Sequence, residues 1–232
     1  MNVNLTASAK GAIPIAAVTV ATLPKWLRNA TAKERAWLAT TGFRGEPGAI
    51  AFVPAANGKA ARVVAGISPA ETVWAYAGLP KSLPEGIYRL EAALGRNAAT
   101  DAAQGWALGS YAFTRYKKPK RGFATLVWPE AADRAEVLRV TRGVFLARDL
   151  VNTPAEDMGP DELAAAARAL AKEAGAKCTV IRGDALLQAN YPTIHAVGRA
   201  SSRPPCLIDI RWGDERAPKV TLVGKGVCFD SG

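Results

Sequence analysis

The residues of this sequence that are best suited to chemistry lie at its C-terminal end, where Lys225 and Asp230 are five positions apart. A neutral amine and a carboxylate can both bind a metal ion, provided that the two groups converge. In a strand, side chains at this spacing point to opposite faces, about 17 Å apart along the chain. In a helix they lie about 140° apart around the axis. Convergence requires the chain to fold back, and Gly224, Gly226 and Gly232 permit this. The geometry therefore permits half of a metal site but does not require one.

Other chemistries that use glycine-rich segments are excluded by spacing. A phosphate-binding loop has the pattern G-x-x-x-x-G-K-[ST], but Lys219 stands at the first glycine and Gly226 follows the lysine. The nucleophile elbow G-x-S-x-G is excluded because Phe229 stands where its first glycine is required. From spacing alone, one simpler interpretation stays open. It is a glycine-rich turn in which Lys225 is solvated and Asp230 caps the turn.

The complete run V-G-K-G-V-C-F-D-S-G at 223–232 resembles the signature V-G-K-G-x-x-F-D-S-G-G of the leucyl aminopeptidase (cytosol aminopeptidase) family. Members of that family are two-domain, hexameric exopeptidases with two metal ions. The resemblance implies that Lys225 ligates one metal through its deprotonated amine, and that Asp230 ligates or bridges the metals. Cys228 departs from the family, in which threonine is common at this position. Its thiol would either pack as a small apolar group or add a soft ligand.

The elements before the signature follow the order that the family shows. Asn152-Thr153-Pro154 corresponds to its N-x-P element, 197–201 to its V-G-x-x-S element, and 205–208 to its P-x-L-I strand. Pro160 near the start and Gly175 at the end predict a helix over 160–174. We predict strands at 177–181, 194–197, 207–211 and 219–223, with a short helix at 184–187. This alternation predicts an α/β unit.

The first half of the chain also alternates strands with helices. Asn57-Gly58 between the apolar runs 49–53 and 62–66 predicts a β-hairpin. A long helix is predicted over 130–150. We interpret residues 1–129 as a small N-terminal α/β domain, 130–151 as a connecting helix, and 152–232 as the beginning of an α/β di-metal aminopeptidase catalytic domain.

Composition limits the classes of protein that this chain can represent. A hydrophobic content of 49% is sufficient for a packed core. No apolar run reaches the ~18 residues of a membrane span, and three cysteines without C-x-x-C spacing argue against a disulfide framework or a structural zinc site. No secretory signal is recognisable, so we expect a cytoplasmic protein without membrane partners.

The net charge of +10 raises a second hypothesis, that of a nucleic-acid-binding module. The densest basic run is 115–121, where Tyr116 could stack on a base. A solvated loop between a helix and a strand explains this run better, and nucleic acid is not expected as a partner. His195 is the single histidine. We expect it to be packed in the strand 194–197 rather than to act with Cys228 as a thiol hydrolase.

The reaction implied by the resemblance is two-metal hydrolysis, with Mn²⁺ or Zn²⁺, of peptides that have a free N-terminus, catalysed by a homo-hexamer. The family's remaining ligands follow its D-S-G-G motif, so no catalytic residue beyond Lys225 and Asp230 is identified here, and no substrate-binding residue. We expect the 232-residue chain to be inactive alone. We also expect it to be part of a longer gene product. The alternatives are a deliberately shortened chain or a natural non-catalytic one that acts as an assembly partner or as a basic nucleic-acid-binding module.

Overall fold

The computed structural model describes residues 3–68 and 72–228. The chain divides into two compact units, Met1–Arg148 and Asp149–Gly232, which we call unit 1 and unit 2. The division falls within one long helix, Arg134–Asn152. None of the described helices combines the length and the apolar composition needed to cross a membrane.

Unit 1 is built on a six-stranded sheet in which the strands follow the order β1-β6-β5-β2-β4-β3. All neighbouring strands are parallel except β3 and β4, which form an antiparallel hairpin. Gly58 has a φ of +77° at the tip of this hairpin, so the prediction from Asn57-Gly58 is confirmed. The register of the hairpin shifts between Val53 and Pro54. The strands are β1 Leu5–Thr6, β2 Ile13–Val18, β3 Ile50–Pro54, β4 Ala60–Gly66, β5 Ile87–Leu90 and β6 Thr125–Val127.

The helices of unit 1 pack on this sheet around a core centred on Trp106, which is fully buried. Its indole Nε1 donates to the carbonyl of Ala124, 3.0 Å away. Gly105 lets the helix approach a 3₁₀ turn closely, because a Cβ there would lie 1.8 Å from the carbonyl oxygen of Val73. The helices are α1 Leu23–Asn29, α2 Ala32–Thr40, α3 Leu79–Ser82, α4 Arg96–Gly109 and α5 Arg134–Asn152, of which residues 134–148 belong to unit 1, with the 3₁₀ helix Val73–Tyr76.

Helix α5 begins four residues later than the predicted start at residue 130. Asp133 accounts for the difference, because its Oδ1 accepts a hydrogen bond from the backbone N–H of Glu136 at 3.0 Å. An acidic side chain in this position caps a helix and fixes its first residue. Asp133 also pairs with Arg96 at 2.7 Å, which ties the start of α5 to α4.

Unit 2 contains α6 Pro160–Ala174, β7 Lys177–Arg182, α7 Ala185–Gln188, α8 Pro192–Gly198 and β8 Cys206–Arg211. Strands β7 and β8 form a two-stranded antiparallel sheet. Helix α6 has the predicted boundaries, since Pro160 opens it and Gly175, with a φ of +66°, ends it. The mixed α/β fold class is confirmed for the chain.

Two predicted strands of unit 2 are wrong. Residues 194–197 belong to α8, where Arg199 N–H donates to the carbonyl of His195 at 2.8 Å. Pro192 favours a helix at this point because its fixed φ suits a first turn and its missing N–H costs nothing there. Residues 219–223 form neither strand nor helix, and the side chains of Val220, Leu222 and Val223 are 86–92% exposed. Apolar alternation produces a strand only where a partner supplies the hydrogen bonds.

Candidate metal centre

Of the two metal ligands predicted from the sequence, the structure describes Lys225 but not Asp230. Lys225 is exposed in a segment without regular secondary structure, and Asp230 lies outside the described residues. Within 3–68 and 72–228, no cluster of three or more His, Cys, Asp or Glu side chains could hold a metal ion. Lys225 and Asp230 together would supply two donors, whereas a structural zinc site takes four ligands. The residues that the structure describes therefore do not form a metal site by themselves.

A turn follows β8 before the segment that carries Lys225. Gly213 has a φ of +96° just beyond the strand. The turn continues with a hydrogen bond of 3.1 Å from the Ala217 N–H to the Asp214 carbonyl, and the Arg216 N–H donates to Asp214 Oδ1 at 2.9 Å. Lys225 therefore lies on the irregular, exposed segment that follows this turn.

The region at the start of α6 is organised by Arg203, which sequence reasoning missed. Its guanidinium donates to the carbonyls of Ala155 and Glu156 at 3.0 Å each and pairs with the carboxylate of Glu162. Glu162 also accepts from the Gly159 N–H at 2.9 Å, which satisfies a free donor at the start of the helix. Backbone hydrogen bonds from Glu162 itself and from Gly159, together with the charge of Arg203, hold the pKa of Glu162 below its ordinary value. Arg203 thus joins the turn before α6 to the segment before β8.

Cys206 lies beside this helix start and is half-buried. Its Sγ is 3.5 Å from the carbonyl oxygen of Pro160. Burial raises the pKa of the Cys206 thiol, and the charges of Asp161 and Cys228 raise it further. The positive charges of Arg182 and Arg168 act in the opposite direction. Arg182 also pairs with Asp161 at 2.5 Å.

His195 occupies a different environment from the expected packed strand position. Its Nε2 lies 3.1 Å from Asp184 Oδ1, and its side chain is 18% exposed. The contact links the two short helices α7 and α8. The partner that the structure gives this histidine is therefore a carboxylate on the protein surface. This contact gives no support to the alternative of a thiol hydrolase.

The basic run 115–121 in unit 1 lies between α4 and β6, and its residues are exposed, as expected of a solvated loop. The ring of Tyr116 packs edge-on against Phe113, with 5.7 Å between centroids, and the Arg115 guanidinium lies 5.6 Å from its centre. Arg121 donates to the carbonyls of Lys81 and Leu83. Tyr116 and Arg121, at the end of the run, therefore both have partners within the protein.

Comparison with known families shows matches over most of the chain. Residues 13–129 match the N-terminal domain of the M17 aminopeptidases, and residues 145–232 match the catalytic domain of the cytosol aminopeptidase family. The second match includes the lysine motif. Together the two matched ranges leave out only the first residues and the stretch 130–144.

Individual relatives agree with these matches. The chain is 34% identical to a probable cytosol aminopeptidase of Streptomyces griseus, over 86% of this chain and 46% of the relative. It superposes on the crystal structure of a cytosol aminopeptidase from Coxiella burnetii with a TM-score of 0.87 and 43% identity, covering 99% of this chain and 50% of that one. It is also similar to the bottromycin maturation enzyme BotP in complex with Mn, with a TM-score of 0.68 and 27% identity, over 88% of this chain and 45% of that one. The chain thus spans about half the length of the relatives that it matches.

Proposed function

Because this chain belongs to the cytosol aminopeptidase (M17) family, we propose that it serves metal-dependent hydrolysis of the first peptide bond in peptides with a free N-terminus. The observation that carries this proposal is the match of residues 145–232 to the catalytic domain, a range that contains the complete run V-G-K-G-V-C-F-D-S-G. The nucleic-acid alternative receives no comparable support.

Within this proposal, Lys225 and Asp230 are the metal ligands that the chain contributes. Two divalent ions, when bound, would activate a water molecule and polarise the scissile carbonyl. Lys225 would offer the lone pair of a neutral amine, and Asp230 would offer carboxylate oxygens. Mn²⁺ and Zn²⁺ both accept such donors, and the Mn complex of BotP favours Mn²⁺ as the first ion to test. The described residues supply too few donors for either ion, so no reaction step is assigned to them.

We expect the 232-residue chain alone to bind Mn²⁺ or Zn²⁺ weakly and to be inactive, because two donors do not fix the geometry of two ions. The measurement is release of leucine from leucinamide by the purified chain, with and without each ion. Strong metal-dependent release would contradict this expectation. Titration of the Lys225→Ala chain with Mn²⁺ tests the ligand role separately, since loss of the weak binding is expected.

The family membership also motivates proposals about the state of the working enzyme. We propose a cytoplasmic homo-hexamer that acts on peptides. The mass of the native assembly in cell extract, together with the mass of its polypeptide, tests the hexamer. A native mass equal to that of one polypeptide would contradict it.

A further inference from the structure

An open surface cavity of about 460 Å³ lies in unit 1 beside the edge strand β3. Its wall is mainly apolar, and Phe52 in this wall packs on the core cluster that contains Trp106. Glu85 and Arg121 add one negative and one positive charge. Small-molecule sites commonly have volumes of about 300–1,000 Å³ and combine apolar walls with a few polar groups. The described residues that line the cavity are Phe52, Ser82, Pro84, Glu85 and Arg121.

The two charged groups of this cavity are held in place by backbone partners. The Arg121 guanidinium donates to the carbonyl of Leu83 at 2.8 Å and to that of Lys81. A guanidinium has five N–H donors, so these bonds leave donors for a ligand. Glu85 Oε1 accepts from the Gly122 N–H at 2.6 Å. A carboxylate has about four lone-pair sites, so it can accept further bonds as well. Both charges are thus fixed in position and still able to bind.

The loop between α3 and β5, which carries Pro84 and Glu85, is also fixed from below. The hydroxyl of Tyr88 donates to the carbonyl oxygen of Pro84 at 3.1 Å. The ring of Tyr88 belongs to the core and is 1% exposed. A site that is ordered before its ligand arrives loses less conformational entropy on binding. The cavity is therefore preorganised, although it is open to solvent.

We propose that this cavity binds a free amino acid with an apolar side chain, in its zwitterionic form. The α-carboxylate pairs with the Arg121 guanidinium, the α-ammonium pairs with Glu85, and the side chain covers Phe52 and Pro84. A ligand with a single charge would leave one of the two charged groups without its partner, which disfavours it. A peptide has its terminal charges on different residues, farther apart than those of one amino acid.

The proposal has a consequence for the activity of the family. Removal of the first residue of a peptide releases a free amino acid, so the ligand of this cavity would be a product of the reaction. Unit 1 would then carry a site at which the product is sensed. This consequence rests on the proposed function, whereas the binding site itself rests on the contacts within unit 1 alone.

The test is a titration of the full chain, labelled with ¹⁵N, with L-leucine in the presence of a chelator, so that no metal ion contributes. The backbone N–H resonances of Phe52, Glu85 and Gly122 are followed by NMR. We expect saturable shifts with a dissociation constant on the order of 1 mM, because a ligand with few atoms binds weakly in an open cavity. Leucinamide lacks the carboxylate, 4-methylpentanoate lacks the ammonium, and glycine lacks the apolar side chain. Each should bind about tenfold more weakly.

Substitutions at the two charged residues separate the contributions. Glu85→Gln keeps an acceptor for the Gly122 N–H but removes the charge, so we expect an affinity for leucine about tenfold lower. Its affinity for 4-methylpentanoate should be unchanged, since that ligand has no ammonium. Arg121→Lys keeps the charge but loses the fork, and it should weaken binding of both. Glu130→Gln, which removes an exposed carboxylate elsewhere in unit 1, is the matched control and should bind leucine as the unmodified chain does.

Three results would overturn the proposal. These are equal affinities for leucine and its three analogues, shifts that do not saturate or that avoid the cavity, and a Glu85→Gln chain that binds leucine as tightly as Glu130→Gln. The Lys225→Ala chain separates the two proposals, since it should bind leucine unchanged. If Lys225→Ala leaves Mn²⁺ binding unchanged while leucine still binds, the metal role of Lys225 fails and the cavity site stands. If Mn²⁺ binding is lost but leucine produces no shifts in any chain, the cavity site fails and the proposed function is unaffected.

Discussion

Unit 1 and unit 2 belong to one chain but bury their apolar side chains to very different extents. Unit 1 contains three clusters of buried hydrophobic residues around its six-stranded sheet. Among the described hydrophobic residues of unit 2, those that are buried are Ala164, Ala171 and Leu186, whereas Trp212, Val220, Leu222 and Val223 are 78–92% exposed. Burial of apolar area is the main favourable contribution to folding. Unit 1 therefore has a hydrophobic core of its own. The described part of unit 2 instead exposes much of its apolar surface.

The strongest test of this difference is truncation of a buried side chain in each unit. Trp106→Ala removes a fully buried indole and its hydrogen bond to Ala124, so we expect a loss of about 3–5 kcal/mol in the free energy of unfolding. Leu186→Ala removes a fully buried side chain of unit 2. This substitution should leave the unfolding transition of unit 1 nearly unchanged. Denaturant unfolding followed by tryptophan fluorescence, with circular dichroism for the Trp106 variant, measures both. Equal losses from the two substitutions would contradict the contrast.

A second test sharpens the description of the core of unit 1. Gly105→Ala would place a Cβ 1.8 Å from the Val73 carbonyl oxygen. The backbone must then move, and we expect a destabilisation of about 1–3 kcal/mol.

Gly143→Ala in α5 is the matched control for this substitution, because a Cβ there meets no atom within 4 Å. Alanine is favoured over glycine in a helix interior by up to about 1 kcal/mol, so this variant should be stabilised. Thermal unfolding of both variants gives the comparison. If Gly105→Ala were as stable as Gly143→Ala, α4 and the 3₁₀ turn would not be in such close contact.

The smallest expected effect is on the pH dependence of the folding stability of unit 1. Burial acts to raise the pKa of Glu34, but hydrogen bonds from Thr31 and the charge of Arg62 lower it below its ordinary 4.5. A lowered folded-state pKa contributes stability above pH 4.5, and this contribution is lost as the pH falls through the folded-state value. Glu34→Gln should therefore flatten the decline in stability below that pH. The exposed Glu130→Gln controls for loss of one charge, and an equal flattening by both would contradict a special role for Glu34.

What the sequence predicts well in this molecule depends on local chemistry. Pro160 and Gly175 predict the ends of α6, and Asn57-Gly58 predicts the β3–β4 hairpin, because each residue type favours one backbone conformation. The segment 219–223 has the composition of a strand, yet strand formation depends on a partner that local sequence does not reveal. Arg203 could not be predicted either, since its partners Ala155 and Glu162 lie 48 and 41 residues away.

The same distinction, between what local sequence predicts and what depends on distant parts of the chain, applies to the candidate site. The types and spacing of Lys225 and Asp230 indicate a family and a kind of ligand. Whether the two groups converge remains a prediction, because Lys225 is exposed and Asp230 lies outside the described residues.

The strand order of unit 1 also affects how copies of this chain can associate. The two edges of its sheet are β1, which is two residues long, and β3, which ends at Pro54 beside an irregularity in its register. Short edge strands, proline and bulges all hinder the addition of a strand from another molecule. The sheet of unit 1 is thus protected against edge-to-edge aggregation, and any assembly that involves this unit would have to use side-chain surfaces instead of continuing the sheet.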